Sequence, residues 1–325
     1  MIKTRLLSLA ALVASAVVLA GCSGMSDAAG SPDTAGSPDA GGKVQVVAST
    51  NVYGSIAEAV GGNRVAVTSI IASAAQDPHE FEASARDQLR VKNAALVIEN
   101  GGGFDPFMDG LVQASGTDAQ VITAATLSPE YPADGDLDTH ADDADHDHDH
   151  LEGFNEHVFY DPAVMAMLAE KIADALGEID PGGAAAYTAN AQTFANGIQP
   201  IIGALGDLKA AHEGNGVFVT EPLPLYLTDA AGLDNKTPSE FSEAVEEGQD
   251  VAPATLLDAL KIISSKQVAV VIINAQAAGA ETDRVVQEAK DSGIPVLQFS
   301  ELLPDGETYL TWMADNVSQL GDALG

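Results

Sequence analysis

The sequence predicts an α/β protein of two βαβ lobes, with mostly parallel sheets, joined by one long rigid helix. Three observations carry that expectation. Short apolar, β-rich runs alternate with helix-length segments, which is the pattern of βαβ units. These runs fall into two sets with no strand signal between them. The stretch that separates the sets closes on a long helical pattern of apolar residues.

The chain of 325 residues opens with Lys3 and Arg5 ahead of an apolar stretch from Leu6 to Ala20. This has the layout of a secretory signal, and it is too short and wrongly flanked for a membrane span. Leu19-Ala20-Gly21-Cys22 follows and resembles the lipobox of bacterial lipoproteins, which implies a signal peptide over residues 1–22 and lipidation of Cys22. Cys22 is the only cysteine, so the mature chain is expected to have neither disulfides nor thiolate metal ligands. Residues 23–42 are a low-complexity tract of small residues, Pro and Asp, which cannot bury enough apolar surface to order itself and reads as a tether.

The first set of strand-like runs is "VQVVAS" at 44–49, "VAVTSI" at 65–70, "ALVIEN" at 95–100 and "QVIT" at 120–123, giving an N-terminal lobe over residues 43–180. Asp161 and Pro162 then supply a helix N-cap and a first-turn proline. Val164, Leu168, Ile172, Leu176 and Ile179 follow at helical spacing until "DPGG" at 180–183. The linking helix is expected over 181–212, from the repeat of Tyr187, Ala191, Phe194, Ile198, Ile201, Leu205 and Leu208, with a kink at Pro200. The second set, "VFVT" at 217–220, "VAVVII" at 268–273 and "PVLQF" at 295–299, defines a C-terminal lobe over 213–325.

A formal net charge of −34 argues against nucleic acid as a partner, since phosphates would be repelled, and suits a cation. In parallel sheets ligands bind beyond the carboxyl ends of the strands. Four donors stand at strand or loop ends: His79 in "DPHEFEAS", His157 in "NEHVFYDP", Glu221 in "TEPLPLYL" and Glu301 in "SELLPDGETYLTWM". Two imidazoles and two carboxylates, two from each lobe, would close a nitrogen/oxygen cage around a divalent transition metal. Asp77 is expected to cap a helix containing Phe81 and Ala85. Glu246, Glu247 and Asp250 are expected in an exposed acidic loop. Glu221 could instead cap the helix after "TEP".

"DPHEFEAS", "NEHVFYDP" and the C-terminal "GETYLTWMADNVSQLGDAL" resemble the metal-binding solute receptors of zinc and manganese ABC importers, the cluster A-I substrate-binding proteins, over essentially the whole mature chain. The resemblance implies that His79 and His157 are the first two ligands. Glu221 falls where zinc receptors usually carry a third histidine and manganese receptors a glutamate. Glu301 falls where an aspartate is usual, and the nearby Asp305 is the alternative fourth ligand. The Asp/His run at 138–150, with His140, His146, His148 and His150, resembles the accessory metal-binding loop of many zinc receptors. The implied protein is an extracytoplasmic, lipid-anchored monomer, not an enzyme. It would take up Zn²⁺, with Mn²⁺ as the alternative, and deliver it to an ABC permease with its ATPase. A surface adhesin or a secreted metallohydrolase are the competing classes; the sequence has no His-Glu-x-x-His helix, nucleophile elbow or Gly-rich phosphate loop to support the latter.

Overall fold

The computed structural model describes residues 42–73, 76, 78–79, 81–132, 153–277 and 279–325. The signal-like segment with Cys22, nearly all of the tether, Asp77 and the run bearing His140, His146, His148 and His150 lie outside the described residues.

The first lobe holds β1 (Val44–Thr50), β2 (Val65–Ile71), β3 (Leu96–Glu99) and β4 (Gln120–Thr123), all parallel, in the order β2-β1-β3-β4. Its connecting helices are α1 (Asn51–Gly61), α2 (Ala85–Lys92) and α3 (Phe107–Ser115). The inner strands β1 and β3 are buried almost throughout, as sheets covered by helices on both sides require. Helices α4 (Pro162–Ile179) and α5 (Ala184–His212) follow. The second lobe holds β5 (Gly216–Val219), β6 (Asp234–Asn235), β7 (Val270–Asn274) and β8 (Val296–Phe299), again parallel, in the order β6-β5-β7-β8. The same strand permutation therefore occurs twice. Helices α6 (Leu225–Ala230), α7 (Ser239–Glu246), α8 (Pro253–Ser264), α9 (Ala280–Ser292) and α10 (Tyr309–Leu324) complete this half.

Local signals explain most boundaries. Asp161 Oδ1 accepts from the N–H groups of Ala163 (2.8 Å) and Val164 (3.3 Å), and Pro162 occupies the first turn of α4. The long helix α5 runs for 29 residues unbroken across Pro200. Helix α2 departs from expectation: it begins at Ala85, and its cap is Ser84, not Asp77. Ser84 and Asp87 form a reciprocal capping box that satisfies two of the helix's unpaired amides, and Phe81 precedes the helix. The two-residue β6 has too little length to show any alternation in sequence.

The lobes share a core. One continuous apolar cluster runs from Val46 and Leu96 of the first sheet, through Leu168 and Phe194 of the two long helices, to Val219 and Ile272 of the second sheet. Helix α10 returns from the second lobe to pack on α1 and α5, with Tyr309 N–H donating to Ser55 Oγ at 3.1 Å. Asn51 exchanges two hydrogen bonds with the backbone of Leu303, at 2.9 and 3.0 Å. Tyr160, fully buried, stacks on Phe299 and donates its hydroxyl to Ser300 O at 2.8 Å.

Tyr160→Phe keeps the ring packing but strips Ser300 O and N–H of the same hydroxyl partner, which accepts from Ser300 N–H at 3.3 Å. Urea denaturation should show a loss of about 1–3 kcal/mol, the cost of leaving buried backbone groups unpaired; an unchanged midpoint would show that this tie contributes nothing.

Candidate metal centre

His79, His157 and Glu301 each present a ligand atom, and these three atoms lie within 4.8 Å of one another. The two imidazole centroids are 6.1 Å apart and inclined at 64°. His79 comes from the segment after β2, and Glu301 stands two residues beyond the end of β8. His157 precedes a short 3₁₀ turn, Val158–Tyr160, that leads into α4.

The aromatic floor beneath the histidines is set by backbone geometry. Gly101, Gly102 and Gly103 after β3 all take positive φ, and a Cβ at Gly102 would come within 2.8 Å of the Phe154 ring. This turn delivers Phe104, fully buried, edge-on to both His79 (5.2 Å) and His157 (5.7 Å).

His157 has one nitrogen committed. Asn155 Oδ1 lies 2.9 Å from its Nδ1, and Asn155 Nδ2 donates to Pro222 O at 3.1 Å, which fixes the orientation of that amide. Its Oδ1 must then accept, so Nδ1 carries the proton and Nε2 is the nitrogen left to face a metal ion. Such an outer partner for a ligand imidazole is the usual means of fixing its tautomer.

Glu221 joins the group through the second sheet. It stands two residues past β5, and continuing the β5–β7 register by two residues from Val219↔Ile272 puts it level with Asn274, the last residue of β7. Asn274 Nδ2 donates to Glu221 Oε2 (2.6 Å) and to Glu301 Oε1 (2.8 Å). Both glutamates are 3 % exposed. Glu221 does not cap the helix after it, since α6 starts at Leu225 behind Pro224 with no side-chain cap. Asp305 is exposed at the surface, while Glu301 points inward.

These groups border a cavity of about 420 Å³ lined by His79, Glu221, Glu246, Asn274, Gln276 and Glu301 among others. Among the described residues that line it there is neither Lys nor Arg. Glu246 corrects the expectation of an exposed acidic loop: it ends α7 half-buried, with a ligand atom within 4.8 Å of those of Glu156 and His157, because α7 packs Phe241 into the second lobe's core and turns its last residue into the cleft. Its neighbours Glu247 and Asp250 are exposed as expected. Burial first, and then the carboxylates of Glu156, Glu221, Glu301 and Glu247, push the Glu246 carboxyl up to about 9. The cleft therefore has a strong electrostatic preference for a cation.

Asn155, Glu156, Glu246 and Asn274 belong to this site, and sequence reasoning passes over them as members of it. Asn274 was accessible to the strand-end argument, because it follows directly on the "VAVVII" run. Glu246 had no such signal.

Two further carboxyls lie at the end of β3. Asp105 is 2 % exposed and accepts from the N–H groups of Asn100 (2.7 Å) and Gly101 (2.8 Å); burial raises it to about 6 despite those bonds. Glu99 is raised to about 7, again mainly by burial, against the opposing hydrogen bond from Thr123 Oγ1 at 2.8 Å.

A two-lobed α/β body with this donor set in its cleft defines an extracytoplasmic metal-binding receptor of the kind that serves ABC importers. The chain belongs to the family described as ZnuA, zinc-uptake complex component A, periplasmic, whose pattern matches residues 46–323. It is 24 % identical over 291 residues to the manganese-binding lipoprotein MntA of Halalkalibacterium halodurans, covering 86 % of this chain and 88 % of that one. It is 26 % identical over 301 residues to the iron ABC transporter substrate-binding lipoprotein MtsA of Streptococcus pyogenes serotype M1, covering 87 % and 89 %. In fold it resembles the periplasmic zinc-binding protein TroA of Treponema pallidum, with a TM-score of 0.69 at 17 % identity, over 87 % of this chain and all of that one.

The raised carboxyl at Glu99 has a consequence for stability. Its folded value lies above its unfolded value of 4.5, so the fold holds the proton more tightly and stability falls as pH climbs from about 4.5 through about 7. Glu99→Gln keeps a carbonyl acceptor for Thr123 and removes the titration. The variant should gain on the parent across that window, by up to about 3 kcal/mol, in urea titrations at the two ends; a flat difference would remove Glu99 from the pH response.

Proposed function

We propose that this protein is the receptor of an ABC importer that binds one divalent transition metal ion through His79, His157, Glu221 and Glu301 and passes it to the membrane permease and its ATPase. The observation that carries this reading is the convergence of His79, His157 and Glu301 within 4.8 Å in a buried, anion-rich cleft, with Glu221 tied to Glu301 through Asn274. Cys22 would hold the chain to the membrane by its acyl chains. Residues 138–150 would act as an accessory loop that binds further ions weakly, because alternating imidazole and carboxylate accept several geometries.

Zn²⁺ is the cargo this reading favours, since a buried nitrogen/oxygen set of four suits tetrahedral zinc and zinc binds more tightly than manganese at such sites. Mn²⁺ is the second reading. It is favoured by the two carboxylates, which are hard donors, and by the manganese-binding relative.

Isothermal titration of metal-free protein should show one tight Zn²⁺ and a weaker class of further ions. His79→Ala and His157→Ala should each weaken the tight site by at least about 100-fold, and Glu221→Gln or Glu301→Gln by a comparable or somewhat smaller factor, since loss even of a ligand's outer partner costs about 10–100-fold. A tight site untouched by all four changes would overturn the assignment. Should Asp305→Asn abolish binding while Glu301→Gln leaves it intact, the fourth ligand would be Asp305.

Deleting residues 138–150 should remove only the weak class. Loss of the tight site with that deletion would refute the division between cleft and loop. Affinity should also fall at acid pH, because imidazole ligates only when neutral.

A further inference from the structure

Asn274 closes β7, the strand that lies between β5 and β8 in the second sheet. It is 4 % exposed, and its amide is held at both ends. Gln276 N–H donates to Asn274 Oδ1 at 3.0 Å, so the oxygen faces the loop and Nδ2 must face the carboxylates. The Nδ2 group has two N–H donors, and each goes to a different glutamate: one to Glu221 Oε2, the other to Glu301 Oε1. Gln276 Oε1 in turn accepts from Glu301 N–H at 3.2 Å, fixing the backbone that carries the fourth donor.

A carboxylate can ligate a metal through one oxygen or through both, and the choice sets the coordination number. With one lone pair on one oxygen of each glutamate already given to the Asn274 amide, two-oxygen chelation by either would have to draw that same oxygen toward the metal and so weaken a buried charge-assisted hydrogen bond. Four-coordinate tetrahedral geometry is what zinc takes in closed protein sites. Oxygen-rich octahedral surroundings are typical of manganese sites.

We propose that Asn274 is a selectivity-determining positioning residue. By holding one oxygen of Glu221 and one of Glu301, it restricts both to single-oxygen ligation and so favours a small, four-coordinate ion over one that needs a larger oxygen shell. The proposal rests on the reading of His79, His157, Glu221 and Glu301 as the metal ligands, and it assigns the discrimination between ions to a residue that does not touch the metal.

The test uses Asn274→Leu, which keeps approximate volume and removes both donors, and Asn274→Ala, which removes them without bulk and stands in should the leucine variant fail to fold. Zn²⁺ and Mn²⁺ affinities are measured separately by chelator competition, and the coordination number of bound Zn²⁺ by X-ray absorption. The parent should hold zinc with four nitrogen/oxygen neighbours. In the variants the ratio of zinc to manganese affinity should fall by at least about 10-fold, with a rise in the zinc coordination number toward five or six as the released carboxylates chelate. Equal weakening of both ions at an unchanged coordination number would reduce Asn274 to a structural tie and overturn the proposal. Failure of the parent itself to bind either ion tightly would instead overturn the ligand assignment beneath it.

Discussion

The segment from Asn155 to Tyr160 is the part on which the rest of the structure depends, because both lobes hold it. From the first lobe, Asn100 Nδ2 donates to Glu156 O at 2.9 Å. From the second, Tyr226 OH donates to Asn155 O at 2.8 Å, Asn155 Nδ2 reaches Pro222 O, and Tyr309 OH donates to Phe159 O at 3.0 Å. Tyrosines suit this work, since a buried ring gives packing and its hydroxyl gives a directed bond. Burial raises Tyr160 and Tyr309 well above the usual phenol range, so both remain donors at any physiological pH. His157 lies in the middle of this segment, and its position relative to Glu221 and Glu301 is therefore fixed by bonds to both halves.

That fixity has an electrostatic purpose. Glu156, Glu221 and Glu301 are each 3 % exposed, and Glu246 leans in beside them. Like charges gathered out of water repel strongly, and the structure responds in two ways: Glu246 is pushed toward its neutral form, and Asn274 places a dipole between two of the others. Neither measure supplies positive charge. A dication does, which is why the cleft is complete as a binding site only with its ion. The same strand permutation in both sheets makes this possible, since two parallel sheets of one design present their carboxyl ends, and the loops beyond them, to a common cleft.

Much of this was legible in the sequence, for identifiable reasons. Seven of the eight strands show as short apolar, β-rich runs, most continuously the inner ones that are buried on both faces, and Asp161-Pro162 marks the start of α4 through local capping chemistry alone. His79, Glu221 and Glu301 stand out as donors because they lie past the carboxyl ends of strands, where ligands of parallel sheets bind, and His157 because "NEHVFYDP" resembles a receptor-family motif just ahead of the capped helix. What stayed hidden depends on tertiary placement. Glu246 looks like any surface glutamate in "EAVEEGQD", and only the packing of Phe241 beneath α7 turns it inward. Asn155 reads as a loop residue until Pro222, distant in sequence, supplies the carbonyl that orients its amide. Asp77-Pro78 is a strong local signal for a helix start, but α2 begins later, where Ser84 and Asp87 form a reciprocal capping box.

The shared core also limits how an ion could leave. Opening the lobes as a hinge would part Tyr160 from Ser300, Asn51 from Leu303 and Tyr309 from Phe159, and would expose apolar surface continuous from Val46 to Ile272. Each hydrogen bond is worth about 1 kcal/mol net, and the apolar area adds about 25 cal/mol for every Å² exposed. The margin of the cleft is cheaper to move. Beyond the half-buried Glu246, residues 247–250 are exposed and no strand pairing holds them. A small displacement of the last turn of α7, beyond the anchored Phe241, would withdraw Glu246 from Glu156 and His157 while leaving the Asn155–Tyr160 segment in place. For a receptor built this way, the bonds that cross between the lobes make a hinge opening costlier than movement at the rim of the second lobe.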